Sequence, residues 1–170
     1  MHHFMLLRHA KSDWSDGSLT DFQRPLNPRG KRAAASMARW MQKEHRIPDR
    51  ILCSSAQRAM ETLQRLQKAW HEEEASPSPA IDVHFLETLY LAPPQTILEA
   101  ARAHAPGSRN LMVIGHNPGM EMLASQLSHR HCTMPTAALA IFQSKGGWPE
   151  DWLESASWSM QDLVVPDKEK

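Results

Sequence analysis

Cysteine is scarce in this chain of 170 residues: Cys53 and Cys132 are the whole supply, and no CxxC pair offers a zinc or redox motif. Two cysteines cannot build a disulfide framework, so the expected setting is a reducing cytoplasm. Excess charge is missing as well, because 19 Lys and Arg balance 19 Asp and Glu. No bulk basicity therefore draws the chain to nucleic acid or to an anionic membrane, and any anion site must be built locally. Long apolar runs are absent too. The N-terminal one, Phe4 to Leu7, gives way at once to Arg8 and His9, which predicts no signal peptide, and Ala137 to Phe142 is far too short to span a bilayer. No internal repeat is present, and the one biased stretch, His71 to Ala80 (HEEEASPSPA), reads as a linker.

What is there is a globular composition, 41% hydrophobic and 22% charged, in one domain over residues 1–170. At this length folding hides roughly 70% of the extended-chain surface, enough for a substantial core. Short apolar runs at Phe4–Leu7, Ile51–Cys53, Val83–Leu86, Leu111–Ile114 and Ala138–Phe142 read as buried strands. Between them lie helical patterns. Asn27-Pro28 announces the first, with Ala34, Met37, Ala38 and Met41 on one face. The second starts near Ser54-Ser55 and buries Ala59, Leu63, Leu66 and Trp70; the third starts around Pro94 with Ile97, Leu98 and Ala101. The fourth repeats the Asn-Pro device at Asn117-Pro118 and carries Met120, Leu123, Ala124 and Leu127. Strands alternating with helices imply parallel pairing with helices on both faces: an α/β fold, a three-layer α/β/α sandwich with a mostly parallel central sheet. Ser157 to Val165 adds an edge strand before the charged tail Asp167–Lys170.

Ligands of such sheets bind where strand ends lead into helix N-termini. After the first strand come Arg8 and His9, after the second Ser54-Ser55 with Arg58, after the third Glu87, and after the fourth Gly115-His116-Asn117. Two arginines, two histidines and a carboxylate converging there make a phosphate site. Guanidiniums Arg8 and Arg58 neutralise the phosphoryl oxygens without a metal. A neutral imidazole is a competent nucleophile at pH 7, and neighbouring cations keep it unprotonated. His9 takes that role, His116 donates to the phosphoryl oxygens, and Glu87 protonates the leaving group if burial raises its pKa.

The runs Leu6–Ser12, Asp21–Gly30, Ser54–Thr62 and Val113–Gly119, in that order and spacing, resemble the histidine phosphatase superfamily. Within it the chain looks most like the small SixA-type phosphohistidine phosphatases. The resemblance implies a phosphoglycerate mutase-like fold and hydrolysis through a phosphorylated His9, with no metal or organic cofactor. Arg8, Arg58 and His116 take the phosphate-binding roles by motif. Ala10 stands where the superfamily usually has glycine, a mark of the SixA-like branch, and Glu87 falls where mutase-like members carry their acid.

Neither the interval between Glu87 and Pro94 nor that between His116 and Pro118 has room for an insertion large enough to build a lid, and imidazole leaves more readily than a sugar alkoxide. Both points favour a phosphorylated protein as partner, such as a phosphorelay or phosphotransfer protein, over a metabolite ester. The competing readings are a small-molecule phosphomonoesterase of the same mechanism and a noncatalytic phosphate-binding module. The cluster His129-Arg130-His131-Cys132 lacks metal-ligand spacing, and no metal is expected. Arg24 and Asn27 brace the first helix, with a ligand contact from the loop over the site as the alternative for Arg24, and Trp14 lies in a loop near His9, placed to flank the substrate.

Overall fold

The computed structural model describes residues 1–72, 80–154 and 156–166. Most of the HEEEASPSPA stretch and the whole Asp167–Lys170 tail lie outside the described residues. The elements run β1 (His2–Arg8), α1 (Pro28–Lys43), β2 (Arg50–Ser54), α2 (Gln57–Glu72), β3 (Asp82–Leu86), α3 (Pro94–His104), β4 (Asn110–Gly115), α4 (Gly119–Ser128), β5 (Leu139–Ser144) and β6 (Ser159–Val164). They build a six-stranded sheet in the order β3-β2-β4-β1-β5-β6. The pairs β3/β2, β2/β4 and β4/β1 are parallel. β5 and β6 join antiparallel at the other edge. The fold is the expected mostly parallel α/β/α sandwich, with the expected edge strand.

Strands buried on both faces carry continuous apolar sequence, and the two-residue period deals their side chains into separate cores. Phe4, Leu6, Leu52, Leu111, Val113, Ala140 and Phe142 face α3 and α4, where Ile97, Leu98, Ala101, Met120, Leu123 and Leu127 meet them. Met5, Leu7, Ile51, Cys53, Met112, Ile114 and Ile141 face the opposite layer, against Met37, Ala38 and Met41 of α1 and Leu63, Leu66 and Trp70 of α2. The C-terminal tryptophans close the first core beyond the helices. Trp148 stacks on Trp152 with ring centroids 5.4 Å apart. Trp152 and Trp158 in turn pack on Phe4 at 5.1 and 5.7 Å.

Local signals fix the helix starts that matter for the site. Asn27 Oδ1 accepts the Gly30 N–H at 2.8 Å, and Pro28 is the first helical residue of α1. At α4 the same dipeptide works differently: the Asn117–Pro118 peptide is cis and the helix proper begins at Gly119. Asn117 Oδ1 still accepts a helical N–H, from Glu121 at 3.2 Å, while its Nδ2 donates to the Met134 carbonyl at 2.9 Å. Two glycines permit close backbone approach. A Cβ at Gly30 would fall 2.1 Å from the Lys11 carbonyl oxygen, and one at Gly119 would fall 1.9 Å from that of Ala92. No described helix is long and apolar enough to cross a membrane.

Candidate active site

The C-terminal ends of β2, β4 and β1 are successive neighbours in the sheet, so the residues just past each strand meet at one edge. His9 extends β1 by one residue. Its N–H donates to the Gly115 carbonyl and its own carbonyl accepts from the Ala137 N–H, each at 3.0 Å. The next residue is pinned too, because the Ala10 N–H donates to Thr62 Oγ1 of α2 at 3.0 Å. The imidazole is thereby locked in place.

His9 Nδ1 lies 2.7 Å from the Ala10 carbonyl, which can only accept, so Nδ1 carries the proton. Nε2 then presents its lone pair toward Arg58, whose Nε donates to it at 3.3 Å. Burial, aided by Arg58, Arg8 and Arg24, lowers the His9 pKa to about 4 against the opposing pull of the Ala10 hydrogen bond. Neighbouring cations, the cause expected from the sequence, contribute less to this depression than desolvation does. The ring is 6% exposed and neutral at pH 7.

His116 stands beside it, ring centroids 5.1 Å apart. Its Nε2 lies 2.7 Å from Ser54 Oγ, and that hydroxyl oxygen accepts the Ala56 N–H at 3.2 Å. With an acceptor role already filled, the Ser54 hydroxyl proton is free to donate to Nε2. With Ser54 as the donor, the His116 proton sits on Nδ1, which is buried with no described partner. Burial first, then His9 and Arg58, bring the His116 pKa to about 3.

Arg8 spends one donor on the Met134 carbonyl at 3.1 Å, and its Nε is buried without a partner. Arg58, 3% exposed, is held harder: Nη1 donates to the Asp21 carbonyl at 2.7 Å and Nη2 to Asp21 Oδ2 at 3.0 Å. Asp21 also accepts from Arg24 Nη2 at 2.8 Å and from the Tyr90 hydroxyl. The Tyr90 hydrogen bond and the two arginines hold its carboxyl well below the usual carboxylate range.

Glu87 does not meet the condition set for it. It opens a one-turn helix (Glu87–Leu89) past β3, three strands from β1, and is exposed, so the burial that an acid role required is absent. It makes no side-chain hydrogen bond or ion pair with a described residue. What this segment turns inward is Tyr90, whose ring meets His116 edge-on at 5.3 Å. Asn27 caps α1 as expected, whereas Arg24 ties Ser12 Oγ, at 2.6 Å, to Asp21 and stacks over exposed Trp14 at 3.4 Å. His129, Arg130, His131 and Cys132 do not gather ligands, and no group of three metal-binding side chains occurs among the described residues.

Similarity to known proteins gives the family. The model of the histidine phosphatase superfamily (branch 1) matches residues 4–82. An uncharacterized chloroplastic protein of Arabidopsis thaliana is 33% identical over 175 residues, 96% of this chain and 77% of that protein. An uncharacterized protein of Mycobacterium tuberculosis is 32% identical over 155 residues, 85% of this chain and 90% of its own. The chain belongs to the histidine phosphatase superfamily. Among solved structures, the SixA protein of Agrobacterium tumefaciens, a phosphohistidine phosphatase by assignment, superposes with a TM-score of 0.80 at 27% identity, covering 97% of this chain and 98% of that one. The protein histidine phosphatase SixA in complex with tungstate gives 0.75 at 21% identity, covering 96% and 97%. Membership of the superfamily makes this chain a phosphatase by class.

For this histidine phosphatase, sequence reasoning placed Arg8, His9, Arg58 and His116 at one sheet edge, and the structure brings all four together. It missed Asp21, Tyr90, Thr62 and Ser54 as the residues that hold them. Asp21, Ser54 and Thr62 lie inside runs that carry the family resemblance and Tyr90 lies three residues past Glu87, but the partners through which they hold the site are 37 to 69 positions away.

Proposed function

We propose that this histidine phosphatase removes phosphate from a phosphohistidine side chain of a protein, by way of a covalent phosphohistidine on His9. The observation that carries the reading is the fixed tautomer of His9: Nδ1–H donates to Ala10, and the unprotonated Nε2 accepts from Arg58 Nε. In the first step Nε2 attacks phosphorus in line, a P–N bond forms to His9, and the P–N bond to the substrate imidazole breaks as that ring takes up a proton. Water then attacks the phosphorylated His9, releasing inorganic phosphate and restoring the imidazole. Free donors of Arg8 and Arg58, with Nδ1–H of His116, match the charge that spreads over the phosphoryl oxygens.

With Glu87 exposed, the reading assigns no step to a buried acid, and a leaving imidazole asks less of one than an alkoxide does. This favours phosphohistidine over a sugar ester. The charge on the phosphoryl group is met by guanidiniums, so no metal enters either step. Cys53 and Cys132, buried and unpaired, suit a reducing cytoplasm.

The test is hydrolysis of a phosphohistidine-bearing protein in chelator by wild type and His9→Ala, beside a panel of phosphate monoesters. Loss of phosphohistidine that outpaces every ester, survives chelator and vanishes in His9→Ala, with phosphate affinity retained, is the expected result. Near-normal activity of His9→Ala would overturn the mechanism. Activity confined to esters would move the substrate to small metabolites, and binding without turnover would leave a phosphate-binding module.

A further inference from the structure

Beside the site, a groove of about 500 Å³ runs along α1, lined among others by Lys11, Arg29, Arg32, Arg39, Pro135 and Val165. Positions 29, 32, 36 and 39 succeed one another at steps of three and four, so they share one face of α1, opposite Ala34, Met37 and Met41 in the core. Three of those four positions are arginine. No acidic residue is among the described lining residues, although the chain as a whole has zero net charge. Lys11, Arg29 and Arg39 are exposed and form no ion pair with a described residue. Like charges crowded along one concave wall focus a positive potential there.

Chain neighbours of the proposed catalytic residues line this groove. Lys11 lies two residues beyond His9. Pro135 and Thr136, also in its lining, lie between Met134, whose carbonyl accepts from Arg8 at 3.1 Å, and Ala137, whose N–H donates to the His9 carbonyl at 3.0 Å. We infer that this groove docks an acidic stretch of the phosphorylated protein next to its phosphohistidine, an inference that rests on the proposed function. The floor of Ala33, Ala35, Pro135, Val165 and Pro166 takes the aliphatic stems of glutamates, whose carboxylates reach the basic wall. Among its described lining residues there is no aromatic side chain on which a nucleobase would stack, which sets it apart from a single-strand nucleic-acid channel.

The experiment uses two phosphohistidine peptides with the same core, one flanked by glutamates and one by lysines, with wild type and Arg29→Gln/Arg39→Gln. Thermal melts first confirm that the double variant is folded. The expected kcat/KM ratio, Glu-flanked over Lys-flanked, is about tenfold for wild type at low salt, and it falls toward one in the variant and as NaCl is raised. A wild-type ratio near one, or a ratio unchanged in the variant, overturns the inference. If neither peptide is turned over, the catalytic reading fails on its own, and the groove is judged by fluorescence anisotropy of the unphosphorylated Glu-rich peptide. Binding to wild type about tenfold tighter than to the variant supports docking; equal binding overturns it. So does tighter binding of a single-stranded oligonucleotide, or peptide binding that emerges only after residues 167–170 are removed, which would make the chain's own end the occupant.

Discussion

Replacing Thr62 by valine removes one hydroxyl and almost no volume, which isolates a single polar contact behind the site. Thr62 is 1% exposed, accepts the Ala10 N–H at 3.0 Å and donates to the Arg58 carbonyl at 2.7 Å. In the variant the Arg58 carbonyl keeps its helical bond from the residue 62 N–H. The Ala10 N–H has no such alternative, since Ala10 is fully buried. An orphaned buried donor costs about 1–3 kcal/mol. Transferring a methyl in place of a hydroxyl returns part of that, so a net loss of about 2 kcal/mol is expected, a fall in Tm of roughly 4–8 °C for a chain of this size. The consequence reaches His9 because the Ala10 carbonyl fixes its Nδ1–H. A kcat loss of about tenfold accompanies the instability, as the ring gains freedom to turn. Thr62→Ser is the control: it gives up a methyl, about 1 kcal/mol, but keeps the hydroxyl and with it kcat. Urea titrations and single-turnover assays on the three proteins decide it. Thr62→Val that matches wild type within about 0.3 kcal/mol and turns over normally would refute the claim that this hydroxyl positions the nucleophile.

Gly30→Ala sets a helix-propensity gain of up to about 1 kcal/mol against a Cβ placed 2.1 Å from the Lys11 carbonyl oxygen. Backbone cannot step aside cheaply, so the variant is expected to be destabilised by about 1–3 kcal/mol in denaturant titrations, with activity falling as the Lys11 segment is pushed off; a gain in stability would contradict the packing. The buried histidines predict an acid-side instability. Above pH 6.5 the His9 ring is neutral folded and unfolded and contributes nothing; as pH falls toward its folded pKa of about 4, the unfolded chain binds a proton that the folded one refuses. His9→Gln should therefore recover about 2–3 kcal/mol relative to wild type at pH 4.5 and nothing at pH 7.5, and equal pH profiles would disprove the buried neutral ring.

Much of the fold was legible because it is written in local periods. The two-residue alternation in Phe4–Leu7 and Leu111–Ile114 assigns each side chain to a core, and Asn27-Pro28 caps a helix by a contact three residues long. Arg8, His9, Arg58 and His116 were legible for a related reason: in a parallel sheet every strand end points to the same edge. Glu87 satisfied that rule and still lies exposed, because β3 is the outermost strand and the one-turn helix after it turns Tyr90 inward instead. Asp21 belongs to a run that carries the family resemblance, yet nothing local says that it joins Arg58 and Tyr90. Asn117-Pro118 looked like a repeat of the α1 cap, but α4 starts at Gly119, one residue later than the α1 pattern, and the Asn117 side chain accepts from Glu121 instead.

The sequence by itself determined the layers, the sheet edge where the candidate site lies and the set of groups proposed to meet a phosphate, since those follow from periodicity, chain direction and residue chemistry. Only the tertiary structure decided the state of those groups. That His9 is neutral with its proton on Nδ1, that Ser54 ties down the His116 ring and that Asp21 braces Arg58 all depend on burial and on hydrogen-bond partners distant in sequence. Desolvation and geometry of that kind have no signature in a local pattern, because they arise only when separate segments close around the same few atoms.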